Sequence, residues 1–334
     1  MELSRSPIID FSHLHSPNPE TRAKAIDQIA TACRTFGFFN VINHGISDET
    51  IRDAVDANRR FEEAPPEVKE ALKSGDVYQP VRFGTVLDSR GGHGSGCGTF
   101  VRDFLKLYSF PLEDWIEFWP SYPPDYRSKM GKYSKETRNL SISLLKPMLE
   151  SLHITDPSPL LHKVTSEGMH MMAVNHYHTG LQQQLLSNSA AQIGIPPHTD
   201  HTLITVLLQT SPGLHVLDPT DGNWKDAAAP SEIIQGGAQN TLQVLVGDQL
   251  EVLSNGRYRG AVHRVSQCSP DNCSRISVAS LLSFGMDEVV EPAAEMDGDE
   301  LLKPFYKGRS LRDLLDHLAS GEKLPFIETL RIMG

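Results

Sequence analysis

The sequence predicts a mainly β protein with flanking helices. Two observations carry this. From residue 168 onward, short apolar runs rich in Val, Ile and Leu recur between Gly, Pro, Asp and Asn, the spacing of a β-sandwich or barrel. Ahead of them, apolar residues repeat at helical intervals, as in Ala23, Ile26, Ile29, Ala30 and Cys33. The chain has 334 residues, 39% of them hydrophobic, enough to bury a large core.

In chain order, residues 7 to 11, PIIDF, read as a short strand, and residues 19 to 35 as a helix ended by Gly37. GFFNVINHGI then gives a buried strand over Phe38 to Ile42 and a turn at Asn43-His44-Gly45. Ser47 caps a second helix running to about Phe61, and Pro65-Pro66 opens a short third. Residues 86 to 99 contain the Gly-rich GGHGSGCG, read as a loop that becomes a lid or a plain connection. Residues 100 to 107 alternate as a strand does. A long helix follows from Asp125 to Leu152, striped by Leu140, Leu144, Leu145 and Met148. HMMAVNHYHT, LITVLLQ, GLHVL, TLQVLVG, LEVLS, RGAVHRV and RISVASLLSF are the expected strands. One helix near Ser310 to Ser320 closes a polar tail. The expected organisation is an N-terminal region (1–120), a long helix and connector (121–167), a β core (168–290) and a C-terminal tail (291–334).

A net charge of −11 argues against nucleic acid or an anionic membrane as partner. No apolar run reaches the roughly 20 residues that span a bilayer, and MELSRSPIIDF has no signal-like apolar stretch. Four sparse cysteines, Cys33, Cys97, Cys268 and Cys273, read as reduced thiols of a cytoplasmic protein. A monomer acting on a small molecule is expected.

PPHTDHTLITVLLQ holds the chemistry. Read as a strand, it puts His198 and Asp200 on one face and His201 on the other. A third ligand must come from elsewhere, and His263, expected to end the strand in RGAVHRV, is the candidate. Two His and one carboxylate on one triangular face leave positions open, which suits non-haem Fe(II). Just beyond, Arg275 and Ser277 share a face, and so do Asn175 and Tyr177. A buried guanidinium needs an anion, and a carboxylate accepts its fork while Ser277 and Tyr177 add hydroxyl donors. The other histidines, His44, His93, His170, His176, His178 and His215, read as core residues hydrogen-bonded in place.

These residues, with PIIDF, GFFNVINHGI, VRDFLKLYSFPLEDWIEFWP, VGDQLEVLSNGRYRGAVHRV and SRISVAS, resemble the plant-type soluble Fe(II)/2-oxoglutarate-dependent dioxygenases related to isopenicillin N synthase. The resemblance covers nearly the whole chain. It departs from the usual pattern at NHYHTG, where only Asn175 and Tyr177 match, and at Val101 and Leu245.

The resemblance implies a double-stranded β-helix, or jelly roll, wrapped by helices. It implies iron held by His198, Asp200 and His263, and 2-oxoglutarate held by Arg275, Ser277, Tyr177 and Asn175. It also implies O2 as oxidant with ascorbate in support. Substrate hydroxylation or desaturation would be coupled to release of succinate and CO2. The positions that meet substrate in such enzymes correspond here to Arg82, Phe83, Phe100, Met172, Leu281 and Ser283. Their mostly apolar character points to a flavonoid, phenylpropanoid, terpenoid or hormone. Three other readings stay open: an oxidase of the same superfamily that does not use 2-oxoglutarate, a non-catalytic small-molecule-binding member, and a cupin-like enzyme using another metal.

Overall fold

Alternation along the strands sorts the apolar side chains into two cores, one on each side of a large sheet. The computed structural model describes residues 6–88, 100–154, 156–177, 192–227, 241–265, 275–293, 303–322 and 324–332. The strands are β1 (Ile8–Asp10), β2 (Phe38–Ile42), β3 (Val81–Asp88), β4 (Phe100–Tyr108), β5 (Met169–Tyr177), β6 (Gln192–Ile193), β7 (Ile195–His198), β8 (Ile204–Gln209), β9 (Leu214–Leu217), β10 (Trp224–Asp226), β11 (Leu242–Val246), β12 (His263–Val265) and β13 (Arg275–Ser283). The helices are α1 (Pro19–Thr35), α2 (Asp48–Glu62), α3 (Pro66–Glu70), α4 (Leu112–Trp115), α5 (Tyr126–Glu150), α6 (Ser158–Ser166), α7 (Asp248–Leu253), α8 (Leu311–Ser320) and α9 (Phe326–Leu330).

The large sheet runs β1-β2-β11-β8-β13-β5-β4-β3, with β6 beside β4, and the small sheet runs β10-β9-β12-β7. Pairing is antiparallel except for β1 with β2 and β4 with β6. One face of the large sheet carries Val174, Val206, Val244, Val278 and Leu282 against the helices, where Ile29, Ile51, Phe61, Leu144 and Met148 are buried with them. Each such side chain removed from water contributes about 2 kcal/mol. The opposite face carries Phe38, Tyr177, Leu207 and Leu245 against Leu214, Val216 and Val265 of the small sheet. The site lies in this second layer.

Helix ends follow local chemistry. The Asn18 side chain accepts from the backbone N–H groups of Glu20 and Thr21 at the start of α1, and Ser47 does the same for Thr50 in α2. Gly37 ends α1 at φ 64°, and a Cβ there would sit 2.2 Å from the Arg259 carbonyl oxygen. Only glycine fits this turn and close approach.

Several expectations need correction. LEVLS belongs to helix α7, not to a strand. All six residues of that helix are buried, and a short apolar run buried on every side shows no period by which to tell helix from strand. The PPHTDHTLITVLLQ stretch is two strands, β7 and β8, with residues 199–203 between them. His263 begins β12 rather than ending a strand. The residues before it are tied elsewhere, with the Gly260 N–H on Glu251 and the Ala261 N–H on the Val246 carbonyl. The tail holds α9 besides the expected helix, and Tyr306 bridges to Arg331. Val86–Asp88 continue β3, while the Gly-rich run 91–98, and with it the lid question, lies outside the described residues, as do His93 and His178.

Candidate metal and anion site

His198 ends β7 and His263 begins β12, and the two are direct cross-strand partners. Their rings lie 4.1 Å apart between centroids. Asp200 comes from the segment after β7, so it reaches this face by a chain turn and not by strand alternation. That segment is fixed from below. The Asp248 N–H donates to the Asp200 carbonyl at 2.8 Å, and the Gln249 N–H to that of Thr202 at 3.0 Å. Asp200 Oδ1 stands 3.7 Å from Nε2 of both histidines.

Each imidazole is oriented by its own strand. His198 Nδ1 lies 2.9 Å from the Pro196 carbonyl oxygen, and His263 Nδ1 lies 2.8 Å from that of Ala261. A carbonyl only accepts, so Nδ1 carries the proton and Nε2 keeps its lone pair toward Asp200. Desolvation in the cleft, together with the charge of His263, pushes His198 down to about 4, against the pull of Asp200. The ring is therefore neutral at pH 7, the form that ligates metals. Among the described residues, His198, Asp200 and His263 form the one group of three with ligand atoms all within 4.8 Å of one another.

His201 points away, as expected. Its Nδ1 faces Asp248 Oδ2 at 3.3 Å and its ring packs edge-on against Phe326 at 4.8 Å. It ties α7 to the C-terminal helix.

Across the cleft, Arg275 is fully buried at 0% exposure. Its Nε donates to the Ser211 carbonyl at 3.0 Å and its Nη2 to Gln209 Oε1 at 2.6 Å. Its guanidinium carbon lies 4.8 Å from the Tyr177 ring centroid. Arg275 Nη1 and Tyr177 Oη are both buried without a hydrogen-bond partner. Ser277 sits one alternation further along β13, opposite Asn175 of β5 and Gln209 of β8. Asn175, Tyr177, Arg275, Ser277 and the triad border one cleft of about 190 Å³.

Two residues of the cleft and its surround escaped the sequence reading. Arg102 of β4 lines it and donates from Nε to Asn175 Oδ1 at 2.8 Å. Gln209 holds Arg275. Their only sequence signal is a polar residue at the inward phase of an alternating strand, and the phase becomes visible once the pairing register is known.

A sequence model of the non-haem dioxygenase N-terminal region, described from morphine synthesis, matches residues 6–122, and that of the 2OG-Fe(II) oxygenase superfamily matches residues 168–283. The chain is 40% identical to 2-oxoglutarate-dependent dioxygenase 21, chloroplastic, of Oryza sativa subsp. japonica, over 98% of this chain and 91% of that protein. The chain belongs to the 2OG-Fe(II) oxygenase superfamily. A second rice protein, flavanone 3-dioxygenase 3, is 36% identical to this oxygenase over 98% of its length and 93% of the relative's. The crystal structure of JOX2 in complex with 2OG, Fe and JA shares its fold, with a TM-score of 0.74 at 23% identity, over 100% of this chain and 92% of that one. The protein is thus a 2-oxoglutarate-dependent oxygenase with Fe(II) and 2-oxoglutarate as cofactor and co-substrate.

Of the positions expected to meet substrate, Leu281 lines the oxygenase's cleft. Met172 and Phe83 do not. Both point into the helix-side core, where Phe83 meets Phe61 edge-on at 5.9 Å between centroids. Strand alternation explains this, because Ala173, Asn175 and Tyr177 take the cleft side and Met172 takes the other. Ser283 is buried at the far end of β13 and does not border the cleft. Arg82 lies on the cleft-side face of β3, half-buried. The side chain of Phe100 is outside the described residues. Of the presumed core histidines, His170 is one, with Ser109 and Ser280 hydroxyls at 2.8 and 2.6 Å on its two ring nitrogens.

Proposed function

We propose that this oxygenase hydroxylates or desaturates a small, largely apolar specialised metabolite or hormone of flavonoid, phenylpropanoid or terpenoid type. In this reading the second layer is the double-stranded β-helix of the family. His198 Nε2, Asp200 and His263 Nε2 hold Fe(II), and Arg275, with Ser277, Tyr177 and Asn175, holds the distal carboxylate of 2-oxoglutarate. The observation that carries it is the pair of orphaned atoms, Arg275 Nη1 and Tyr177 Oη. A buried cation and a buried hydroxyl with nothing to bond to are costly, and one carboxylate satisfies both.

Bound iron supplies oxygen activation coupled to loss of CO2 from 2-oxoglutarate. The chain's own residues do the rest. The two Nδ1–H groups lock the imidazoles with Nε2 inward. Gln209 and the Ser211 carbonyl hold the guanidinium so that one edge faces the cleft. Leu207, Leu214 and Leu281 line an apolar wall that keeps water away from the reacting C–H bond.

The flavanone dioxygenase relative and the apolar wall support the substrate class. No helix among the described residues is long and apolar enough to cross a membrane. The sparse cysteines, with Cys33 free and buried, support a cytoplasmic setting, although one relative is named chloroplastic. The test is succinate release with a panel of flavanones, phenylpropanoids and terpenoids. Release above the substrate-free level, with a product 16 Da heavier or 2 Da lighter than its substrate, supports the proposal. Oxidation of a panel compound without 2-oxoglutarate consumption favours the oxidase instead.

A further inference from the structure

On the cleft-side face of the sheet, a row of paired residues continues past Ala173. Ala279 of β13 pairs with Ala173 of β5, Ala173 pairs with Lys106 of β4, and Lys106 pairs with Arg82 of β3. Directly opposed residues on one face of a sheet point the same way. The row therefore leads from the cleft to two cations across two neighbouring strands, a distance of about 10 Å at the usual strand spacing. The two alanines border the cleft and stay half-exposed between buried neighbours. Having methyl side chains only, they add little bulk to this row. Phe104 lies opposite Asn175 in the next row.

The two cations lack an acid partner. The Arg82 guanidinium lies over the Phe104 ring at 5.1 Å, and its Nε is buried without a hydrogen-bond partner. Lys106 Nζ donates to the Val77 carbonyl at 3.3 Å and lies 4.8 Å from the Tyr108 ring centroid. Among the described residues, no carboxylate is within ion-pair distance of either. The acid whose charge acts on both is Asp76, which already accepts from the N–H of Tyr78 and from Gln79 Nε2. Burial, reinforced by the charge of Arg82, pushes Lys106 down to about 8. Two half-buried cations side by side, in a protein of net charge −11, call for an anion between them.

We propose that Arg82 and Lys106 form an anion subsite that binds a carboxylate on the substrate, so that the substrate is a small apolar acid with its ring or chain lying over Ala173 and Ala279. This rests on the cleft being the oxygenase's substrate site and narrows the substrate class. The geometry suits a single carboxylate, with one oxygen on the orphaned Arg82 Nε and the other on the ammonium. The subsite is separate from Arg275. It holds the far end of the substrate while the C–H bond to be oxidised lies toward the triad.

The test is calorimetric binding of phenylacetate, 4-coumarate and geranate, each beside its methyl ester, to the iron-loaded protein without oxygen and with saturating 2-oxoglutarate. Saturation closes the Arg275 site to the probes. At least one acid is expected to bind tenfold or more tightly than its ester. That preference is expected to vanish in Arg82→Gln and in Lys106→Met and to survive in Lys106→Arg, with ester binding unchanged. Esters that bind as well as acids in every pair, or an acid preference that survives both substitutions, would overturn the subsite. Binding of 2-oxoglutarate is read separately in the same protein. Its absence would count against the oxygenase chemistry, while the comparison of acid with ester still decides the subsite.

Discussion

Arg275 and Tyr177 face each other as direct partners across β13 and β5, and each keeps one buried polar atom with no partner. In the proposed function, 2-oxoglutarate supplies the missing half of this hydrogen-bonding arrangement. A buried charge with no acid partner among the described residues is destabilising, which offsets the two hydrogen bonds, to Gln209 and the Ser211 carbonyl, that its replacement by an apolar side chain removes. Arg275→Met is therefore expected to melt at or slightly above the wild-type temperature when 2-oxoglutarate is absent. Wild type should gain several degrees on adding iron and 2-oxoglutarate, and the variant should gain almost nothing. Thermal melts with and without the two additions check this. A variant that still gains the full shift would remove Arg275 from the site.

His198, Asp200 and His201 are close in sequence but differ in what they touch, and a pair of variants separates them. Asp200→Ala should lose nearly all bound metal after dialysis, since a bidentate imidazole pair alone binds weakly. His201→Ala should retain its metal and lose only about 1–3 kcal/mol of stability, from the unpaired Asp248 it leaves. Metal content by elemental analysis, beside urea unfolding, reads both effects.

Gly247 controls the position of Asp200 without touching it. A Cβ at Gly247 would sit 2.1 Å from the Thr202 carbonyl oxygen, in the segment that carries the carboxylate. Its own N–H donates to the Leu203 carbonyl at 3.1 Å. Gly247→Ala must push that segment outward. The expected result is a loss of about 2 kcal/mol or more together with weaker metal binding. Intact metal affinity in a destabilised variant would contradict the link.

His170 makes the fold sensitive to acid. Full burial, helped by the nearby Arg138 charge, pushes its imidazole down to about 3, against about 6.5 in the unfolded chain. The unfolded state therefore takes up the proton first, and stability present above pH 6.5 is lost progressively as pH falls toward 3. Between pH 7 and pH 5 the loss from this residue is about 2 kcal/mol. Urea unfolding at several pH values should show a flatter dependence in His170→Asn than in wild type.

Much of the site could be read from the sequence because its residues are out of character for their surroundings. A carboxylate between two histidines, and an arginine opening an apolar run, are expensive to bury without a purpose. Face and register were harder to read. The family resemblance carried Met172 and Phe83 over as substrate positions without fixing which side of the sheet meets the helices, and both lie in the core. Arg102 and Gln209 became site residues only through pairing with strands distant in sequence. The strand read into LEVLS failed because complete burial erases periodicity. Trp224–Asp226 is too short and exposed to announce β10.

The most direct test of the central claim is an anaerobic titration of the metal-free protein with Fe(II) and then 2-oxoglutarate, following the weak visible charge-transfer band of the chelate in wild type and Arg275→Ala. The account predicts a band in wild type and a roughly 10- to 150-fold higher 2-oxoglutarate requirement in the variant, the range for one lost charged hydrogen bond. No band in wild type, or equal affinity in the two proteins, would contradict it.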